Sequence, residues 1–184
     1  SHEQTVRIIL DAGFTNIYLF QLMLLPGSEM STGVSRQRYQ MNTMFRVLPR
    51  CYGRYTALDD VLVSAEIEEI CVSTNTLSFD DYLECRSMHL FVTIFYNDGL
   101  FGSLLKLIRS KGWSPWRWIE LMMSRELPHQ LNSLYKQFRH ATEHELWPTR
   151  EALLEFIHRP NAVDKFLNGE LGNNLLFIYK SLAI

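Results

Sequence analysis

Cysteine is scarce in this chain: there are three, Cys51, Cys71 and Cys85, each alone in its neighbourhood. Zinc and iron–sulfur sites draw close pairs or triplets of thiolates from one loop, so this spacing excludes the usual cysteine-built metal centres. An odd, scattered set also argues against a disulfide framework and for reduced, packed thiols in a cytoplasmic protein. No apolar run is long enough to span a bilayer, and no signal sequence opens the chain. A soluble, intracellular protein without a membrane partner is expected. Neither sign of charge dominates, since 18 Lys and Arg against 20 Asp and Glu leave a net −2. Strong attraction to nucleic acid is therefore not implied. Internal repeats, low-complexity tracts and long linkers are missing as well.

What is present suffices for a core: 47% of the 184 residues are hydrophobic and 12% aromatic, enough for one domain, or one domain and the edge of another. Val6, Ile9 and Leu10 make a short helical stripe that Asp11-Ala12-Gly13 can end, with the glycine as a left-handed cap. Ile17 to Leu25 is almost continuously apolar and is bounded by Pro26-Gly27. That pattern suits a strand buried on both faces, the habit of parallel sheets covered by helices. A parallel strand needs parallel neighbours, and nothing precedes Ser1-His2, a dipeptide resembling a cloning remnant. The chain is expected to begin inside a larger α/β domain.

Organisation changes near residue 78. Before it, Ser31 or Thr32 can cap a short Arg-rich helix, Met44 to Leu48 reads as a strand stopped by Pro49, and Val61–Ile67 with Ile70–Ser73 reads as one or two more. After it the pattern is helical. Ser78 is a good N-cap, with Asp80 and Asp81 in the first turn of a helix running to about Tyr96. Further helices are expected over 101–110, from Ser114-Pro115, from Pro128, from Thr149 to Pro160, and from Asn161 to the end. The domains expected are therefore 3–77, carrying the strands, and 78–184, a helical bundle.

Several residues bear chemistry. His140-Ala141-Thr142-Glu143-His144 spells an inverted zinc-peptidase motif, in which histidines four apart on a helix could grip one metal. Arg139, His140, Glu143, His144 and Glu145 also lie opposite the Leu134–Phe138 stripe, and a solvated face is the preferred reading. Trp116-Arg117-Trp118 could stack nucleobases, but helical spacing and acidic net charge favour packing. His89, between Met88 and Leu90, suits a hydrogen-bonded core histidine. Cys85 has no companion motif that would make it a nucleophile.

Arg46, Arg50 and Arg54 cluster about a strand end and a Pro/Gly turn. They could clamp a carboxylate or phosphate, or equally pair with Asp59, Asp60 and Glu66. Gly27 and Glu29, in the turn Leu25-Pro26-Gly27-Ser28-Glu29, stand where α/β folds place ligands, beyond the C-terminal end of a strand.

Leu19-Phe20-Gln21-Leu22-Met23-Leu24-Leu25-Pro26-Gly27-Ser28-Glu29 and Phe45-Arg46-Val47-Leu48-Pro49-Arg50-Cys51-Tyr52-Gly53 resemble the later barrel strands of radical S-adenosylmethionine enzymes. More specifically, they are similar to those enzymes that carry an N-terminal cobalamin-binding-type domain. Ser73-Thr74-Asn75-Thr76-Leu77-Ser78-Phe79-Asp80-Asp81-Tyr82-Leu83 and Phe95-Tyr96-Asn97-Asp98-Gly99-Leu100-Phe101 extend the resemblance over most of residues 3–112. It implies an α+β piece: the last strands of a partial α/β barrel, a small β region and a C-terminal helical bundle at the substrate end. The parent would use a [4Fe-4S] cluster and S-adenosylmethionine, with cobalamin a candidate helper in methyl transfer.

The Cys-x-x-x-Cys-x-x-Cys loop of such enzymes does not occur here, nor does an Asp-x-His-x-x-Gly cobalamin motif. The expectation is a cofactor-free portion, inactive alone, whose partners are the rest of the parent chain and an unknown substrate. Gly27 and Glu29 would lie at the cofactor end, and Arg46 and Arg50 would meet an anionic substrate group. Self-association through an exposed strand edge is a further expectation. The competing class is a non-enzymatic helical module that docks a protein partner.

Overall fold

A computed structural model describes residues 1–57 and 60–184. The fold is α+β: among the described residues, helices and one two-stranded antiparallel sheet. By packing it divides into two compact units, Ser1–Phe20 with Leu83–Ala141 and Leu175–Ile184, and Gln21–Tyr82 with Thr142–Asn174. This division cuts across the expected 3–77 and 78–184. The change near residue 78 marks a switch of secondary structure, whereas packing groups the amino-terminal helix with later helices.

In the first unit, α1 (His2–Asp11) is capped by Ser1, whose side chain accepts from the Gln4 N–H, and the turn after it uses Gly13 at φ 88°. Val6 and Leu10 are fully buried, in one core with α3 (Phe79–Phe95), α4 (Gly102–Ser110), α5 (Pro115–Ser124) and α6 (His129–His144). Phe138 and Ile119 are inaccessible to solvent at its centre. The start of α3, which falls within Gln21–Tyr82 of the second unit, is a capping box: Asp81 N–H donates to Ser78 Oγ, while Ser78 N–H and Oγ–H donate to the Asp81 carboxylate. Those bonds hold the exposed Asp81 carboxyl below its usual range. Pro115 takes the first position of α5, where a missing N–H costs nothing. The last helix of the chain, Leu175–Ala183, adds Leu175, Leu176 and Tyr179 to the same core.

In the second unit, Thr32 caps α2 (Gly33–Tyr39) by accepting from the Ser35 N–H. The hairpin β1 (Asn42–Ala57) and β2 (Asp60–Ser73) follows. β1 does not stop at Pro49. Val47 pairs with Ile67 and Tyr52 with Ala65, so Leu48 to Cys51 bulge out opposite Glu66, and the missing proline N–H is tolerated there. Phe45, Val47, Tyr52 and Ile67 pack on α7 (Arg150–Ile157, capped by Thr149) and α8 (Ala162–Leu167) through Leu153, Ile157, Val163 and Phe166. The terminal helical stretch is thus two helices, α8 and α9 (Leu175–Ala183), separated by Gly169 and Gly172, both at positive φ.

Ile17 to Leu25 is not a doubly buried parallel strand. It is an extended segment whose one bridge, Met23 with Ile70, is antiparallel. Leu24 N–H donates to the Glu69 carbonyl at 2.9 Å and Cys71 N–H to the Leu22 carbonyl at 2.9 Å. Ile17 and Leu24 turn inward, while Tyr18, Phe20, Leu22 and Leu25 are 69%, 79%, 43% and 59% exposed. The run is continuous in hydropathy but alternates in burial.

Candidate functional site: the base of the hairpin

Register explains the chemistry at the hairpin base. Arg46 and Glu68 are directly opposite on one face of the ladder, and Arg46 Nε lies 2.5 Å from Glu68 Oε1. Its Nη1 lies 2.5 Å from Oε1 of Glu145, just past the end of α6. The three side chains are 11%, 7% and 16% exposed, so these are largely desolvated ion pairs. Burial works against the charged guanidinium, but the carboxylates of Glu145 and Glu68 outweigh it and raise the Arg46 pKa. Glu68 Oε2 is buried without a hydrogen-bond partner among the described residues. One cation thus serves two carboxylates, and Arg46 has no donor to spare for a substrate anion along these two directions.

The opposite face carries a second ion pair. Arg36 grips Glu69 bidentately, Nη1 to Oε1 at 2.5 Å and Nη2 to Oε2 at 2.8 Å, and Thr43 Oγ1 donates to Oε1 at 2.6 Å. The Arg36 hydrogen bond, against burial and with help from Thr43, holds the Glu69 carboxyl below its usual range. The same arginine donates to the Ser31 carbonyl at 3.0 Å, tying α2 to the sheet. Phe45 exchanges backbone bonds of 2.8 and 2.7 Å with Trp147, so the outer edge of β1 is held at that residue.

The three clustered arginines therefore have three fates. Arg46 is committed to Glu68 and Glu145, and Arg54 to Asp164 at 2.7 Å. Arg50 is exposed on the bulge, and its guanidinium has no partner among the described residues. Among the described residues these acidic partners are Glu68, Glu145 and Asp164, and Asp59 and the side chain of Asp60 lie outside them. Gly27, at φ 83° and with open space about it, and Glu29, in a 3-10 turn, are both solvent-exposed, on the loop between Leu25 and α2. Structure thus brings Arg46 and Arg50 onto one strand but seats Arg46 in a buried pair, with Arg50 in the following bulge.

The donors for a cluster or metal do not fit. Cys51 lies in the bulge, Cys71 in β2 and Cys85 in α3, and no group of three His, Cys, Asp or Glu among the described residues could hold a metal ion. Burial pushes the Cys71 thiol up, which suits packing and not nucleophilic use. His140, Glu143 and His144 are solvent-exposed on α6. Trp116 is buried, and Trp118 donates its indole N–H to the Phe95 carbonyl, so both tryptophans are packing residues.

In the first unit, Leu90, Phe91, Ile94, Phe95, Leu127 and Leu131 line a small, largely apolar recess between α3 and the start of α6. His89 turns away from bulk water, its Nε2 2.8 Å from His2 Nε2. Burial, with Arg86 and His2 adding positive character, pushes its imidazole down to about 3. It is a neutral core histidine.

Sequence reasoning missed Glu68 and Glu145 as partners of Arg46. Glu68 follows from the hairpin register once β1 is allowed to run past Pro49, but no local signal announces Glu145. No protein-family model matches the chain, and no curated protein matches it.

Proposed function

We propose that this chain is the C-terminal, substrate-end portion of a radical S-adenosylmethionine iron–sulfur enzyme, with the cluster and radical chemistry carried by another part of a longer protein. The observation that supports the reading is the segment Ile17–Leu25. It is apolar and extended, joins β2 through one bridge at Met23, and leaves Tyr18, Phe20, Leu22 and Leu25 open to solvent. An extended apolar segment paired at one point, with large apolar side chains open to solvent, leaves room for further chain to cover it. Within this reading Gly27 and Glu29 belong to the cofactor end, and the arginine bulge faces the substrate. The cysteines of this chain supply no cluster ligands, and no step of the reaction is assigned to its residues.

Sequencing upstream of Glu3 and expressing the longer protein tests the proposal. The expected result is a Cys-x-x-x-Cys-x-x-Cys loop upstream, and reductive cleavage of S-adenosylmethionine to 5′-deoxyadenosine by the anaerobically reconstituted long protein. The 184-residue chain alone should yield none. An upstream sequence without that loop, or a long protein that holds a cluster but never cleaves the cofactor, would overturn it.

A further inference from the structure

The bulge Leu48–Cys51 spends backbone freedom to hold one cation outward. Arg50 sits at φ 65°, a left-handed conformation that a residue with a Cβ adopts at a free-energy cost. Its N–H donates to the Gly172 carbonyl at 3.0 Å, and Gly172 is itself left-handed at φ 69°. A Cβ on Gly172 would come within 2.6 Å of the Phe166 ring and 2.8 Å of the Tyr52 ring, so the loop is seated tightly against β1 and α8. Two unusual backbone positions thus lock together under an exposed guanidinium that has no hydrogen-bond or ion-pair partner among the described residues. Glycine would fit φ 65° without strain, yet the position holds the residue best suited to gripping a planar oxyanion through two parallel N–H bonds. Its neighbours in sequence make the contrast: Arg46 and Arg54 are consumed by Glu68, Glu145 and Asp164.

We infer that Arg50 is the anion-binding residue of this chain, a guanidinium fixed on the bulge to receive a carboxylate or phosphate of the substrate. This deepens the substrate-end reading and rests on it for the word substrate; the anion site itself is tested on this chain alone. The test titrates inorganic phosphate and, separately, succinate into the chain in low-salt buffer, following the backbone amide resonances of the bulge by NMR, a readout the Arg50 variants share, with chloride as control. Binding should saturate for at least one oxyanion and not for chloride, and the stronger of the two names the substrate group as phosphate or carboxylate.

Arg50→Gly should lose at least about tenfold in affinity for that oxyanion while melting no lower than the original chain, because the backbone strain is relieved. Arg50→Lys, which keeps charge but not the fork, should bind at least about fivefold more weakly. Equal binding by Arg50→Gly, or saturation by chloride matching both oxyanions, would overturn the site. So would a lower melting temperature for Arg50→Gly with unchanged binding, which would make Arg50 structural. The upstream-sequence experiment can fail while this one succeeds, so the two readings are separable.

Discussion

The two compact units reach stability by different means. The first is built on apolar burial: Phe138, Ile119, Val6, Leu10 and Val92 are closed to solvent, and Phe138 meets Tyr179 edge-on at 5.4 Å between ring centres. The second has a thinner apolar layer on one hairpin and sets charge into it, with Arg46 between Glu68 and Glu145 and Arg36 on Glu69. Apolar packing is non-directional and forgiving of register, whereas desolvated ion pairs fix it, since a one-residue slip would move Arg46 off Glu68. The lesson is that the second unit uses charge for geometry where the first uses area for stability.

The largest expected effect would come from the first core. Phe138→Ala should cost about 4 kcal/mol in urea unfolding, the sum of lost transfer energy and an unfilled cavity. A loss under about 1 kcal/mol would mean that this core is not where stability resides. In the second unit, Arg46→Met strands two carboxylates and should cost about 3 kcal/mol. Adding Glu68→Leu and Glu145→Leu should recover most of it. A triple variant as weak as the single one would show that the charges are not coupled.

Gly172→Ala tests the close approach of the loop to Tyr52 and Phe166, where it should cost about 2 kcal/mol through strain and overlap. Full retention of the original melting temperature would contradict the packing described.

Acid should act on the first unit earlier than on the second. In the folded chain His89 stays neutral, its pKa lowered from 6.5 to about 3, while the unfolded chain takes up the proton below 6.5. That group therefore supports the fold fully above pH 6.5 and loses ground as pH falls towards 3, at up to about 1.4 kcal/mol per pH unit. The lowered Glu69 pKa acts in the same sense but in a more acid window, beginning near its ordinary 4.5. His89→Leu should flatten the stability profile between pH 6.5 and 4.5; an unchanged slope would assign it to other groups. The smallest effect expected is that of His140→Ala with His144→Ala: within about 0.5 kcal/mol, with no zinc-dependent rise in melting temperature.

Much of the helical half was legible. Ser78, Thr149 and Pro115 stand at or beside the starts they announce, because capping and a fixed proline φ act over three or four residues. The β half was less so. Pro49 reads locally as a stop, but a bulge removes the need for its N–H, and only the partner strand reveals that. Ile17–Leu25 shows the limit of hydropathy: every residue but Gln21 is apolar, so nothing in composition tells that alternate side chains face water. Of the candidate site, the cluster Arg46, Arg50 and Arg54 was visible as spacing. Which arginine stays uncommitted depended on Glu145 and Asp164, about a hundred residues further along.

The first unit is assembled from three separated pieces of chain, and this bears on when it can fold. Its core joins Val6 and Leu10 to Leu175, Leu176 and Tyr179, positions at opposite ends of the sequence. Closing so long a loop is entropically expensive before it is rewarded, and such contacts slow folding more than they weaken the final state. On a ribosome the hairpin of the second unit can pair as soon as it emerges. The helices of the first must wait, with part of their apolar surface uncovered, until residues 175–183 have been made. The arrival of that last piece, and not the emergence of any one earlier helix, sets the clock for that core.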